Sequence, residues 1–326
     1  MPAMRTPLHV LTGFLGAGKT TLVGHLLAER THEKTAVLIN EVGAVALDHL
    51  LVERLDDDVS VLPSGCICCT VRGELGVALT KVLEREPARV VLETTGLADP
   101  APILHMLATQ PQLAERLELA GLITVVDALR GEALLDEQPE ARAQLDLSDK
   151  IVLTKLDLAE PAATARLDDR LAREHPGAER LRSGPRGVPA DTLLSPHAQP
   201  ALVSDASSWL GATSTTDAHD AITSVVDLGH AVDEEAIAAW LRMVTAVDGP
   251  RLLRVKGLVR ARASGEWLVL QSAQHAISPM RALGGAPRGW DSSKLVLITR
   301  GLSAPTLAML IESAEQAARG DRIRAI

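Results

Sequence analysis

Gly13, Gly16, Gly18, Lys19 and Thr20 stand in the spacing G-x-x-x-x-G-K-T. That pattern lets a chain wrap a polyphosphate in its own amides. The glycines permit the dihedrals such a loop needs, the Lys19 ammonium can reach the β- and γ-phosphates, and the Thr20 hydroxyl suits magnesium. Ala17 and Thr21 lie in the same stretch and complete the predicted phosphate contacts. A second acidic and glycine-bearing stretch, Glu93-Thr94-Thr95-Gly96, closes the apolar run Arg89-Val90-Val91-Leu92. An acidic residue at such a strand tip can hold magnesium or its water, and Gly96 offers a mobile N–H for a γ-phosphate.

Thr154-Lys155-Leu156-Asp157 resembles the guanine signature N-K-x-D. The Asp157 carboxylate can accept from guanine N1–H and the exocyclic amine, whereas adenine offers an acceptor at N1 and no 2-amino group. A buried carboxylate left without donors penalises the wrong base by a few kcal/mol. The Lys155 stem can lie along the ring. Thr154 replaces the usual Asn, and its hydroxyl can still bond to the phosphate loop.

All three cysteines fall within Cys66-Ile67-Cys68-Cys69. Bridging neighbours such as Cys68 and Cys69 needs strained geometry, so a disulfide framework is a poor reading. As thiolates they are soft ligands for zinc, copper(I) or cobalt, and two or three sulfurs leave a coordination position open for metal transfer. The blander reading is burial as small hydrophobes.

These residues need elements to hold them. Leu8 to Leu11 reads as a buried strand feeding the phosphate loop, and Leu22, Val23, Leu26 and Leu27 recur at helical spacing just after it. Thr35 to Asn40, Val59 to Leu62, Arg89 to Leu92, Leu122 to Val126 and Ile151 to Thr154 read as further strands, with a helix from about Gly73 to Arg85. Such alternation predicts an α/β fold with a mostly parallel sheet covered by helices. It extends over a first domain of residues 1–203, followed by a small polar linker at 204–221. The rest, 222–326, predicts a smaller α+β domain. Its strands are Thr223 to Leu228, Leu252 to Val259, Trp267 to Gln271 and Lys294 to Thr299. A helix begins at Asp233, and a last one carries Leu307, Leu310, Ile311 and Ala314 on one stripe.

Composition narrows the classes. The chain has 326 residues, a 46% hydrophobic content that can fill two cores, and a formal charge of −9. Aromatics are 2%, with no Tyr and a single Phe, so neither a basic face nor a stacking platform for nucleic acid is expected. No charged leader with an apolar stretch and no run long enough for a bilayer is evident, so the expectation is a cytoplasmic protein without a membrane partner.

Gly13-Phe14-Leu15-Gly16-Ala17-Gly18-Lys19-Thr20-Thr21-Leu22, Gly65-Cys66-Ile67-Cys68-Cys69, Glu93 to Pro100 and Thr154 to Asp157 resemble, in order and spacing, the CobW-type GTPases. These are metal-handling relatives of the nickel-insertion GTPases of hydrogenase and urease. Leu253-Arg254-Val255-Lys256-Gly257 is similar to the strand that opens their C-terminal domain. The resemblance implies a P-loop GTPase using GTP and Mg2+. It further implies that Zn2+ or a relative such as Co2+ is carried on Cys66, Cys68 and Cys69 to a client metalloprotein or metal-cofactor assembly enzyme.

It also implies that Thr20 and Glu93 serve the magnesium side, and that Asn40-Glu41-Val42-Gly43 is a first switch with Glu41 as a metal-side residue. Asp48 would orient the attacking water. Two departures stand out: Ala44 occupies a place where the family often has Glu, and the histidine-rich linker tract is reduced to His219. Residues alone leave two rivals open, a small-molecule kinase built on the same loop and a redox-sensing interaction protein built on the thiols. Oligomeric state is also left open.

Overall fold

The computed structural model describes residues 5–29, 34–39, 59–61, 71–195, 210, 217–218, 221–287 and 290–321. Contacts divide the chain into two compact units, Met1–Arg173 with Ala178–His197 and Glu174–Gly177 with Ala198–Ile326. Within 204–221, the expected linker, only Leu210, Asp217, Ala218 and Ala221 belong to the described residues.

In the first unit strands and helices alternate. They are β1 (Thr6–Thr12), α1 (Lys19–Ala28), β2 (Thr35–Ile39), β3 (Val59–Val61), α2 (Val71–Leu83), β4 (Arg89–Glu93), α3 (Ala101–Thr109), α4 (Pro111–Ala114), β5 (Leu117–Asp127), α5 (Gly131–Glu137), α6 (Pro139–Asp146), β6 (Lys150–Thr154), α7 (Pro161–Glu174), β7 (Glu179–Arg182) and α8 (Ala190–Leu193). The strands form one parallel sheet in the order β3-β2-β4-β1-β5-β6-β7. Ile123, Val125 and Val152 face a core shared with Leu22, Val23 and Leu26 of α1 and Leu193 of α8. Val126, Ile151 and Leu153 face the opposite core, with Leu135 of α5, Leu145 of α6 and Leu167 and Leu171 of α7. Burial on both faces is why these strands read as unbroken apolar runs.

β5 starts five residues before the apolar run at Leu122, because its first half pairs with β1 from Thr6 onward. β7 was not anticipated: Glu-Arg-Leu-Arg is largely exposed and pairs with β6 alone, so its edge position asks for little hydrophobic signal.

The second unit holds β8 (Asp217–Ala218), β9 (Ala221–Gly229), α9 (Glu234–Asp248), β10 (Leu252–Arg260), β11 (Trp267–Ala273), β12 (Ala276–Ile277), β13 (Arg281–Ala282), β14 (Ser293–Arg300) and α10 (Ala304–Arg319). Its sheet is antiparallel in the order β12-β11-β10-β14-β9-β8, with β13 on β11. Asp233 caps α9 by accepting from the Ala236 amide, and Ser303 caps α10 by accepting from Thr306. Both helices contribute to one core, where Trp240 is fully buried beside Ile237, Val255, Leu297 and Ala314. The Trp240 indole donates to Ser313 Oγ at 2.9 Å, so the polar edge of the largest core side chain is satisfied.

Candidate functional site

β1 carries the chain to the carboxyl edge of the sheet and stops at Gly13. Gly13 has a φ of 140°, and a Cβ there would collide with the Val125 carbonyl of the neighbouring strand, so only glycine lets the loop start here. The loop closes on itself through Ala17 N–H donating to the Phe14 carbonyl at 3.1 Å. Gly18 then opens α1 without any side-chain cap, so the first helical amides face the loop with no acceptor from a capping side chain. Lys19 is 7% exposed, and its ammonium donates to the carbonyls of Gly13 at 2.8 Å and Phe14 at 3.4 Å. Gly16 and Thr21 are exposed beside it, and Ala17 is buried.

β4 lies next to β1, with Glu93 opposite Leu11. This pairing brings Glu93 Oε1 to 2.7 Å from Thr20 Oγ1, which donates to it. Two residues far apart in the chain thus converge as hard oxygen donors beside the loop, a donor set that suits Mg2+. Beyond Glu93, Thr94 N–H donates to Leu11 O and the Thr94 hydroxyl donates to Thr12 Oγ1, both at 2.9 Å. Gly96 follows in close contact with the phosphate loop: a Cβ on it would come within 2.6 Å of Leu15 N.

Thr154 ends β6, and its hydroxyl donates to the Ala17 carbonyl at 2.7 Å. The bond foreseen for the residue in place of Asn is therefore made. Lys155 adopts a left-handed φ of 54°, which aims its side chain back across the strand ends. Its ammonium donates to Asp127 Oδ2 at 2.6 Å. Asp157 is exposed on the turn that follows.

Asp127 was missed from sequence. It closes the apolar run of β5 as Glu93 closes that of β4, and that parallel is the signal that could have found it. Its second oxygen accepts from Leu129 N–H at 2.8 Å, so the carboxylate is held from two sides.

Two more ionisable groups without a sequence signal lie in the sheet. His9 on β1 is pushed down from 6.5 to about 3, first by burial and then by the charges of Lys150 and Arg89, with Asp149 opposing. Lys150 is also lowered, chiefly by burial, and donates to Thr192 O at 2.5 Å and Ser195 Oγ at 2.7 Å.

Cys66, Cys68, Cys69, Glu41 and Asp48, together with Asn40 and Gly43, lie outside the described residues. The described strands beside them have a defined register. Ile39 at the end of β2 pairs with Glu93 on one side and with Val61 at the end of β3 on the other. Among the described residues no group of three or more His, Cys, Asp or Glu side chains could hold a metal ion. Nor is any described helix long and apolar enough to cross a membrane.

A family model described as CobW/HypB/UreG, nucleotide-binding domain, matches residues 7–182, and the cobalamin synthesis protein cobW C-terminal domain matches residues 222–315. The zinc chaperone YjiA of Escherichia coli is 32% identical over 303 residues, covering 91% of this chain and 94% of that protein. The zinc chaperone YeiR of Escherichia coli is 27% identical over 324 residues, covering 90% and 97%. In the structural superposition, the crystal structure of Zn(II)-bound YjiA GTPase from E. coli matches with a TM-score of 0.63 and 25% identity, over 99% of this chain and 100% of that one.

Proposed function

The chain belongs to the CobW/HypB/UreG family of nucleotide-binding proteins, and from that premise we propose that it hydrolyses GTP and carries a metal ion as cargo. The cargo is Zn2+, or a related divalent ion such as Co2+, held by Cys66, Cys68 and Cys69 and passed to a client metalloprotein or metal-cofactor assembly enzyme. Residues 1–203 form the GTPase part, joined through 204–221 to 222–326. The cytoplasm is its place, since three clustered thiols stay reduced there.

The observation that carries the nucleotide half is the 2.7 Å pair of Thr20 and Glu93 beside the phosphate loop. Gly13, Gly16, Ala17, Gly18 and Thr21 supply the phosphate cradle, with Lys19 placed for the β- and γ-phosphates. Thr20 and Glu93 would hold Mg2+, which supplies charge neutralisation at the phosphates when bound. Glu41 belongs to the same metal side, and Asp48 orients the attacking water. Lys155 and Asp157 read guanine, Thr154 braces the loop, and Gly96 presents its amide to the terminal phosphate. The metal half is supported by the thiol cluster and by the zinc named for YjiA and YeiR.

The test is direct. Phosphate release from GTP and from ATP is measured on the purified chain, and metal content is determined for the wild type and for a Cys66→Ser, Cys68→Ser, Cys69→Ser variant. The expected result is GTP-selective hydrolysis without a co-substrate and loss of the bound zinc in a variant that still binds GTP. Nucleotide turnover that needs an acceptor molecule, or undiminished zinc in the triple variant, contradicts the reading.

A further inference from the structure

Gln144 on α6 is fully buried, and it touches the loop after β4 from below. Its Nε2 donates to the carbonyls of Ala98 at 3.0 Å and Gly96 at 3.3 Å. Both partners are acceptors, so only the NH2 end of the amide can face them. The backbone of the same residue is fixed from the other side. Its carbonyl lies 3.1 Å from Thr124 Oγ1 of β5 and 3.0 Å from Ser148 Oγ, and these two hydroxyls pair with each other, so that one donates to its fellow and the other donates to the carbonyl. A side chain reaching a loop from an anchored main chain is what positioning a flexible segment requires.

Two further facts give the contact a direction. Gly96 packs closely against the Leu15 backbone, since a Cβ on it would come within 2.6 Å of Leu15 N. Among the described residues Gln144 Oε1 has no hydrogen-bond partner, and the residue lines a cavity of about 20 Å³ with Phe14, Ala17, Asp127 and Leu145. A space of that size takes about one water-sized group, so the amide has room to follow the loop.

We propose that Gln144 is a positioning residue for the terminal phosphate: by holding the Gly96 and Ala98 carbonyls it fixes the turn in which Ala98 N–H donates at 3.0 Å to Thr95 O, the carbonyl of the peptide that carries the Gly96 N–H, and so sets the aim of that N–H and the preference for triphosphate over diphosphate. This rests on the GTP-binding reading of the site. Gln144 does not touch nucleotide itself, and its effect is confined to the group that only GTP possesses.

The experiment compares dissociation constants of the full chain for GDP and for a non-hydrolysable GTP analogue with magnesium, free of zinc, in wild type, Gln144→Met and Gln144→Glu. Gln144→Met removes both donors at similar volume. It should weaken the analogue about fivefold while GDP affinity stays within about twofold, the scale of one or two lost hydrogen bonds. Gln144→Glu should resemble Gln144→Met at pH 8, where a carboxylate repels both carbonyls. At pH 5.5 it should recover part of the analogue affinity, because a neutral carboxyl donates one bond, while the wild-type ratio does not move.

A merely structural role predicts that both nucleotides weaken together and that acid restores nothing. An analogue-to-GDP ratio within twofold of wild type in both variants, or a parallel loss of both affinities, overturns the proposal. Because the readout is a binding ratio taken without zinc, failure of hydrolysis or of metal delivery leaves it unchanged. The two readings therefore fail separately.

Discussion

Glu93 is 1% exposed and accepts a hydrogen bond from Thr20, and under the proposed function its negative charge would serve Mg2+ there. Glu93→Gln keeps an acceptor for the Thr20 hydroxyl and removes the charge. Its kcat for GTP should fall on the order of a hundredfold, with a higher magnesium requirement, in phosphate-release assays across magnesium concentrations. On the proposed reading Asp127 has a comparable part at the base end, since Lys155 is 34% exposed and its ammonium is held by that carboxylate at 2.6 Å. Asp127→Asn should weaken GDP about tenfold by calorimetry with little change in thermal stability. Glu93, Thr154 and Lys155 were legible because motif spacing names them. Asp127 and Gln144 were not, because neither stands in a motif of fixed spacing and only the packed sheet brings them to Lys155 and Gly96.

At the scale of elements, burial decides what could be read. Strands covered on both faces announce themselves as apolar runs, whereas β7, an exposed edge strand, leaves none. The same burial sets a pH dependence in β1. His9 is neutral in the folded chain down to about pH 3, while the unfolded chain protonates near 6.5. The unfolded state therefore binds more protons within that window, so stability is whole above it and is lost as pH falls. His9→Gln removes this contribution. Its urea-unfolding free energy should vary less than that of wild type between pH 6.5 and 5, by up to about 2 kcal/mol. In the second unit α9 and α10 are joined through Trp240, which buries its ring and bonds to Ser313. Trp240→Ala should cost about 3 to 5 kcal/mol in the same measurement.

At the scale of the whole molecule, each unit has its own core; the second family model, at residues 222–315, lies wholly in the second unit, and the first, at 7–182, lies in the first unit apart from Glu174–Gly177. The expectation of a parallel GTPase sheet followed by a smaller α+β domain matches what is seen, because alternation of strand and helix gives way to strands in close succession. The thiols were legible by type and spacing, yet their placement lies outside the described residues. The proposed function ties them to the phosphate loop, in that nucleotide state and metal affinity would form one coupled equilibrium.

This coupling is measured by a zinc titration against a competing chelator with the protein saturated first by GDP and then by a non-hydrolysable GTP analogue, both with magnesium. Coupling predicts zinc affinities that differ between the two states by about fivefold or more, a difference abolished in the Cys66→Ser, Cys68→Ser, Cys69→Ser variant. Equal affinities in the two nucleotide states would contradict it.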